Sequence, residues 1–113
     1  MMWLRNVLLI VLVLLVNTAF SAETEGKKMT DVIWIDVRTA EEYAGGHYKD
    51  AMLIPYDIIQ DKIAAAVDDK NADIRVYCRT GRRSGVAKDV LTQMGYTQVT
   101  NEGGYEDILK RSQ

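Results

Sequence analysis

Hydrophobic positions divide the chain into one leading apolar block and a later succession of short strands and helices. Val7 to Val16 is an unbroken apolar run, preceded by Arg5 and followed by Asn17-Thr18-Ala19-Phe20-Ser21. A short positive start, an apolar stretch and a small-residue end form the pattern of a secretory signal peptide over residues 1–21. As a helix the run would span only about 15 Å, against a bilayer core of ~30 Å, so a membrane anchor fits poorly. Residues 22–30 are polar and read as a flexible lead-in to a domain over residues 31–113.

Within that domain, Val32 to Val37 is nearly continuous apolar sequence, as in a strand covered on both faces. Thr39-Ala40-Glu41-Glu42 is a capping box opening a short helix that ends at Gly45-Gly46. Ala51 to Ile54 predicts a second strand stopped by Pro55, and Asp57 can cap a helix carrying Ile58, Ile59, Ile63, Ala66 and Val67 at helical spacing. Ile74 to Tyr77 predicts a third strand. A helix with Ser84 as N-cap follows, bearing Val86, Val90 and Leu91 and stopping at Gly95. Tyr96 to Thr100 reads as a last strand, Asn101 to Gly104 as a turn, and Tyr105 to Lys110 as a terminal helical turn. This alternation predicts an α/β domain with a mainly parallel twisted sheet of four to five strands and helices on both faces.

Composition adds little to the fold but narrows the chemistry. Apolar residues make up 48% and charged residues 27% of the chain, which suits a globular domain, and the net charge of −2 supplies no general attraction to nucleic acid. There is one cysteine, so no intrachain disulfide can form and the core must hold the fold alone. One histidine beside one cysteine argues against a metal site.

That cysteine, Cys78, sits where the third strand gives way to Arg79-Thr80-Gly81-Arg82-Arg83-Ser84. A loop curling over a helix N-terminus points unpaired backbone N–H groups inward and forms an anion-binding concavity. Gly81 permits the tight turn, and three arginines add positive charge. The group placed to occupy such a cradle is the Cys78 sulfur, which the loop would hold as a nucleophilic thiolate. Ligand sites in parallel sheets lie at the C-terminal ends of strands, which is where Cys78 falls. Gly103-Gly104 reads equally as a plain turn or as backbone passing close to the active loop.

Cys78-Arg79-Thr80-Gly81-Arg82-Arg83 with Ser84-Gly85 resembles the active-site loop of the rhodanese-domain sulfurtransferases. Ile35-Asp36-Val37-Arg38 resembles that family's early Asp-Val-Arg signature, Gly46-His47 with Ala51 and Ile54-Pro55 its following stretch, and Met94-Gly95-Tyr96 with Gly103-Gly104 its closing segment. Asp50 departs from the pattern, standing where the family often has Gly. The resemblance is nearest to small single-domain members exported to the bacterial periplasm, which implies a periplasmic location. It implies that Cys78 is catalytic, that Arg79, Thr80, Gly81, Arg82, Arg83 and Ser84 bind substrate, and that Asp36, Arg38 and His47 give structural support.

The implied reaction moves a sulfane sulfur from thiosulfate or a similar anionic donor to cyanide or a thiol through a Cys78 persulfide. It needs no cofactor and no metal. The implied partners are a small anionic donor and a thiophilic acceptor, which could be a thiol protein, with the chain acting as a monomer away from nucleic acid and membrane. Two alternatives stay open: a persulfide carrier that delivers sulfur to a partner protein, and a cysteine-dependent phosphatase or arsenate reductase. The latter enzymes place Arg six residues after the cysteine, where this chain has Ser84.

Overall fold

The computed structural model describes residues 31–113; the expected signal peptide and lead-in lie outside the described residues. The elements run β1 (Val32–Asp36), α1 (Ala40–Ala44), β2 (Met52–Leu53), α2 (Ile59–Ala66), β3 (Asp73–Cys78), α3 (Arg82–Gln93), β4 (Gln98–Gly104) and α4 (Tyr105–Arg111). The four strands form one parallel sheet in the order β2-β1-β3-β4. From β1 the chain steps outward to β2, then crosses back to place β3 on the other side of β1. The C-terminal ends of β1 and β3 therefore flank the point where the strand order reverses, where ligands of open α/β sheets bind.

Strand periodicity decides which side chains share a face. On β3, Ile74, Val76 and Cys78 point to one side and join Ile35 of β1, Ile59 and Ile63 of α2, and Ala87 and Leu91 of α3. Tyr77 points to the other side, where it packs with Ala51 and with Ile108 of α4. Helices thus cover both faces, and the buried face beneath α3 delivers the Cys78 sulfur to the start of that helix.

The capping box of α1 forms as the sequence predicts. The Glu42 amide donates to Thr39 Oγ1 at 3.1 Å, the Thr39 amide donates to Glu42 Oε1 at 3.0 Å, and the helix ends at Gly45. Three expectations need correction. Asp57 does not cap α2: a turn begins at Pro55, whose carbonyl accepts from the Ile58 amide, so the helix starts one residue later, after Ile58. Ser84 does not cap α3. Gly81, at φ 102°, makes the turn instead, and the helix is already under way at Arg82. Asn101 to Gly104 is not a turn but the second half of β4. Val76 pairs with Asn101 and Tyr77 with Gly103, so Glu102 is the extra residue of a β-bulge. Gly103, at φ 92°, supplies the backbone conformation for it, which is why a glycine pair reads locally as a turn.

Candidate active site

Cys78 ends β3 and the next three residues form the whole loop before α3. In that short span the chain reverses over the sulfur. The Gly81 amide donates to Cys78 Sγ at 3.0 Å and the Ser84 amide at 3.4 Å, while the Ser84 hydroxyl lies 3.4 Å away. Burial pushes the Cys78 thiol up, but the hydrogen bonds from Ser84, Gly81 and Thr80 outweigh it, and the thiol lies below its ordinary value. Cys78 itself has no exposed surface. Beside the loop opens a cavity of about 520 Å³ bordered by Arg79 and Thr80, with Arg38 and Tyr105 on its far walls.

The end of β4 fixes the loop from beneath. A Cβ on Gly104 would stand 2.5 Å from the Arg79 carbonyl oxygen, so only glycine fits there. Of the two readings of Gly103-Gly104, close approach to the loop is the one the structure bears out.

The rhodanese-like domain family matches residues 18–111, well over half of the chain. The chain belongs to the rhodanese-like domain family. It is 51% identical over 75 residues to the thiosulfate sulfurtransferase PspE of Escherichia coli K12, an alignment covering 66% of this chain and 72% of that protein. It is 38% identical over 74 residues to a sulfurtransferase of Allochromatium vinosum, covering 66% and 67% of the two chains. Among solved structures it is similar to a rhodanese with anions from E. coli, with a TM-score of 0.66 and 48% identity over 68% of this chain and 91% of that one.

Set in this rhodanese fold, the residues singled out from the sequence fall into three groups. Cys78, Thr80, Gly81 and Ser84 converge on the sulfur. Arg79 and Arg82 are exposed and have no ion-pair partner among the described residues. Arg83, expected as a substrate cation, is instead held by Glu42 through two hydrogen bonds of 2.8 and 3.0 Å. Its charge ties the start of α3 to α1, and the bonds from Arg83 and the Thr39 amide lower Glu42 to about 2.

Asp36, Arg38 and His47 lie apart from the sulfur. The buried Asp36 carboxylate accepts from the Arg38 amide at 2.9 Å, from the Arg38 guanidinium at 2.8 to 3.1 Å, and from the Tyr77 hydroxyl at 2.7 Å. Arg38 also donates to the Gly46 carbonyl at 2.7 Å, and its guanidinium lies 4.7 Å from the Tyr105 ring centroid. A carboxylate so fully engaged, on the Tyr77 side of the sheet, is not placed as a base for Cys78. His47 stacks on Tyr43 at 3.6 Å with Nδ1 2.9 Å from the Tyr43 carbonyl, an exposed arrangement that closes the end of α1.

Sequence reasoning missed Asn101 and the second role of Glu42. Asn101 Nδ2 donates to the Gly81 carbonyl at 3.0 Å, and its Oδ1 accepts from the Gly103 amide at 3.0 Å and from the Ser84 hydroxyl at 2.7 Å. A polar residue just ahead of a glycine pair carried no signal once that stretch was read as a turn.

Proposed function

We propose that this protein is a thiosulfate sulfurtransferase working through a Cys78 persulfide. The observation that carries the reading is the convergence of main-chain donors on one sulfur, at the strand end where such sheets bind ligands. The Cys78 thiolate attacks the outer sulfur of thiosulfate. The donor's sulfur–sulfur bond breaks, sulfite leaves with its electron pair, and the outer sulfur stays on Cys78 as a persulfide. A thiol or cyanide then attacks that outer sulfur and restores the Cys78 thiolate. This is two-step covalent catalysis, and it requires neither cofactor nor metal. The amides of Thr80, Gly81 and Ser84 offset negative charge on sulfur, while Arg79 and Arg82 attract the dianionic donor. Arg83 with Glu42, and Asp36 with Arg38, brace the loop's surroundings, and His47 supports the chain beyond α1. Because Cys78 has no exposed surface, donor entry requires the loop over the sulfur to open.

The likeness to PspE supports thiosulfate as donor, and Ser84, six residues after Cys78 where the phosphatases and arsenate reductases place Arg, speaks against a phosphate substrate. Residues 1–21 support export to the periplasm, checked by N-terminal sequencing of the secreted form. The deciding experiment is intact-protein mass spectrometry. Thiosulfate adds ~32 Da, the mass of one sulfur, to the nucleophile, cyanide removes it, and Cys78→Ser abolishes the gain. A gain that survives this substitution overturns the mechanism.

A further inference from the structure

The Ser84 hydroxyl has a single proton and two acceptors in reach. Cys78 Sγ lies at 3.4 Å and Asn101 Oδ1 at 2.7 Å. The orientation of the Asn101 amide is forced twice over. Its nitrogen must face the Gly81 carbonyl and its oxygen must face the Gly103 amide. The atom facing Ser84 is therefore an acceptor only, and any hydrogen bond between the two side chains uses the Ser84 proton. With the proton on Asn101, the serine presents a lone pair to Cys78. That arrangement suits a neutral S–H, which can donate to it, and does nothing for a thiolate. A thiolate is the stronger acceptor, since charge-assisted hydrogen bonds are roughly twice as strong as neutral ones. Asn101 loses little by giving up the Ser84 bond, because its oxygen keeps the bond from the Gly103 amide.

We infer that Asn101 is a positioning residue for Cys78: it holds the Ser84 hydroxyl beside the sulfur, accepts the hydroxyl's hydrogen bond while that sulfur is uncharged, and yields that bond to the sulfur when it is a thiolate. The device rests on the proposed function for its use. In the persulfide the charge sits on the outer sulfur, and the hydroxyl turns to Asn101. As the acceptor removes that sulfur, the charge returns to Cys78 and the hydroxyl turns back to stabilise the leaving thiolate. The hydroxyl only rotates, and no bond to hydrogen breaks.

The elements around Cys78 carry Arg79 and Arg82 on the loop and α3, Arg83 with Glu42 of α1, Asp36 with Arg38 at the end of β1, and Tyr56, Tyr77 and Tyr105; Arg75 of β3 pairs with Asp73 and Glu102, and Asp61, Lys62, Lys88 and Asp89 are exposed on α2 and α3. Asn101 is uncharged and bonds to none of them, so replacing it with a neutral residue leaves that field in place. The competition therefore predicts a sign opposite to simple loss of support. Asn101→Leu, close in shape and without an acceptor, frees the hydroxyl for the thiolate. It lowers the apparent Cys78 pKa by about half a unit to one unit, the worth of one neutral hydrogen bond. The probe is the ultraviolet absorbance of the thiolate against pH. It reads the chain's one cysteine without any sulfur donor, so it is independent of whether thiosulfate loads the protein. In a Ser84→Ala background the same Asn101→Leu change leaves the pKa unmoved. An upward shift, no shift, or an equal shift with and without Ser84 overturns the inference. Should Asn101→Leu fail to fold, Asn101→Asp keeps the acceptor and strengthens it. The pKa then rises, and rises less once Ser84→Ala is present; an equal rise in both backgrounds overturns the inference.

Discussion

Gly104→Ala tests whether β4 holds the loop in its working shape. Gly104 has φ −97°, which any residue adopts, so the substitution brings no backbone strain and acts through space alone. Its Cβ would meet the Arg79 carbonyl oxygen at 2.5 Å and the Arg79 carbonyl carbon at 3.3 Å. Carbon–oxygen contacts settle at about 3.3–3.6 Å, so the two backbones must part by about 1 Å. Both partners are main chain, and no flexible side chain can swing away. Thr80 and Gly81 follow Arg79, so the Gly81 amide, 3.0 Å from Cys78 Sγ, moves out of hydrogen-bond reach. Losing one charge-assisted hydrogen bond costs about 1.5–3 kcal/mol, which raises the Cys78 pKa by about 1–2 units. The overpacking costs a further ~1–3 kcal/mol of stability. The assay is thiolate titration beside urea unfolding and the rate of sulfur loading from thiosulfate at neutral pH, expected to fall about tenfold or more. Gly103→Ala is the control. It meets nothing within 4 Å but sits at φ 92°, so it loses stability through its backbone without pressing on the loop. Gly104→Ala with an unchanged thiol pKa would refute the reasoning.

Two further substitutions probe the frame around the loop. Glu42→Gln breaks the ion pair that ties Arg83 to α1 and costs about 1–2 kcal/mol at neutral pH for this partly exposed pair. Glu42 titrates at about 2 in the folded chain against 4.5 as its ordinary value, so the pair's contribution is full above pH 4.5 and is lost as pH falls through 2. Urea midpoints of the two proteins should converge over that window; a gap independent of pH would exclude the ion pair as its source. Asp50 is a non-glycine residue at φ 69° on the surface, so Asp50→Gly should raise stability by up to about 1 kcal/mol with sulfur loading unchanged. A lower thermal midpoint would show that the Asp50 side chain contributes more than its backbone costs.

The α/β class, the order of elements and the position of Cys78 were legible in the residues because each rests on local rules. Strand and helix periodicities do not depend on distant partners, and neither does the capping box at Thr39 and Glu42, which formed as read. Gly81 was recognised as a turn residue, yet the helix cap was placed three residues late, at Ser84. Serine is a good cap in isolation, and only the reversal over the sulfur draws Ser84 into the first turn.

The sequence by itself determined that backbone amides would converge on the Cys78 sulfur, since a strand running through a tight loop into a helix leaves those donors little other direction. Only the tertiary structure decided which arginine after Cys78 is paired among the described residues. Arg83 is indistinguishable from Arg82 along the chain, and a carboxylate from α1, 41 residues away, neutralises one and not the other. It also decided that Asn101 and Gly104 belong to the site. Both arrive on β4, and the bulge at Glu102 sets the register that brings them under the loop. Contacts between strands distant in sequence depend on packing of the whole sheet, and no local pattern records them.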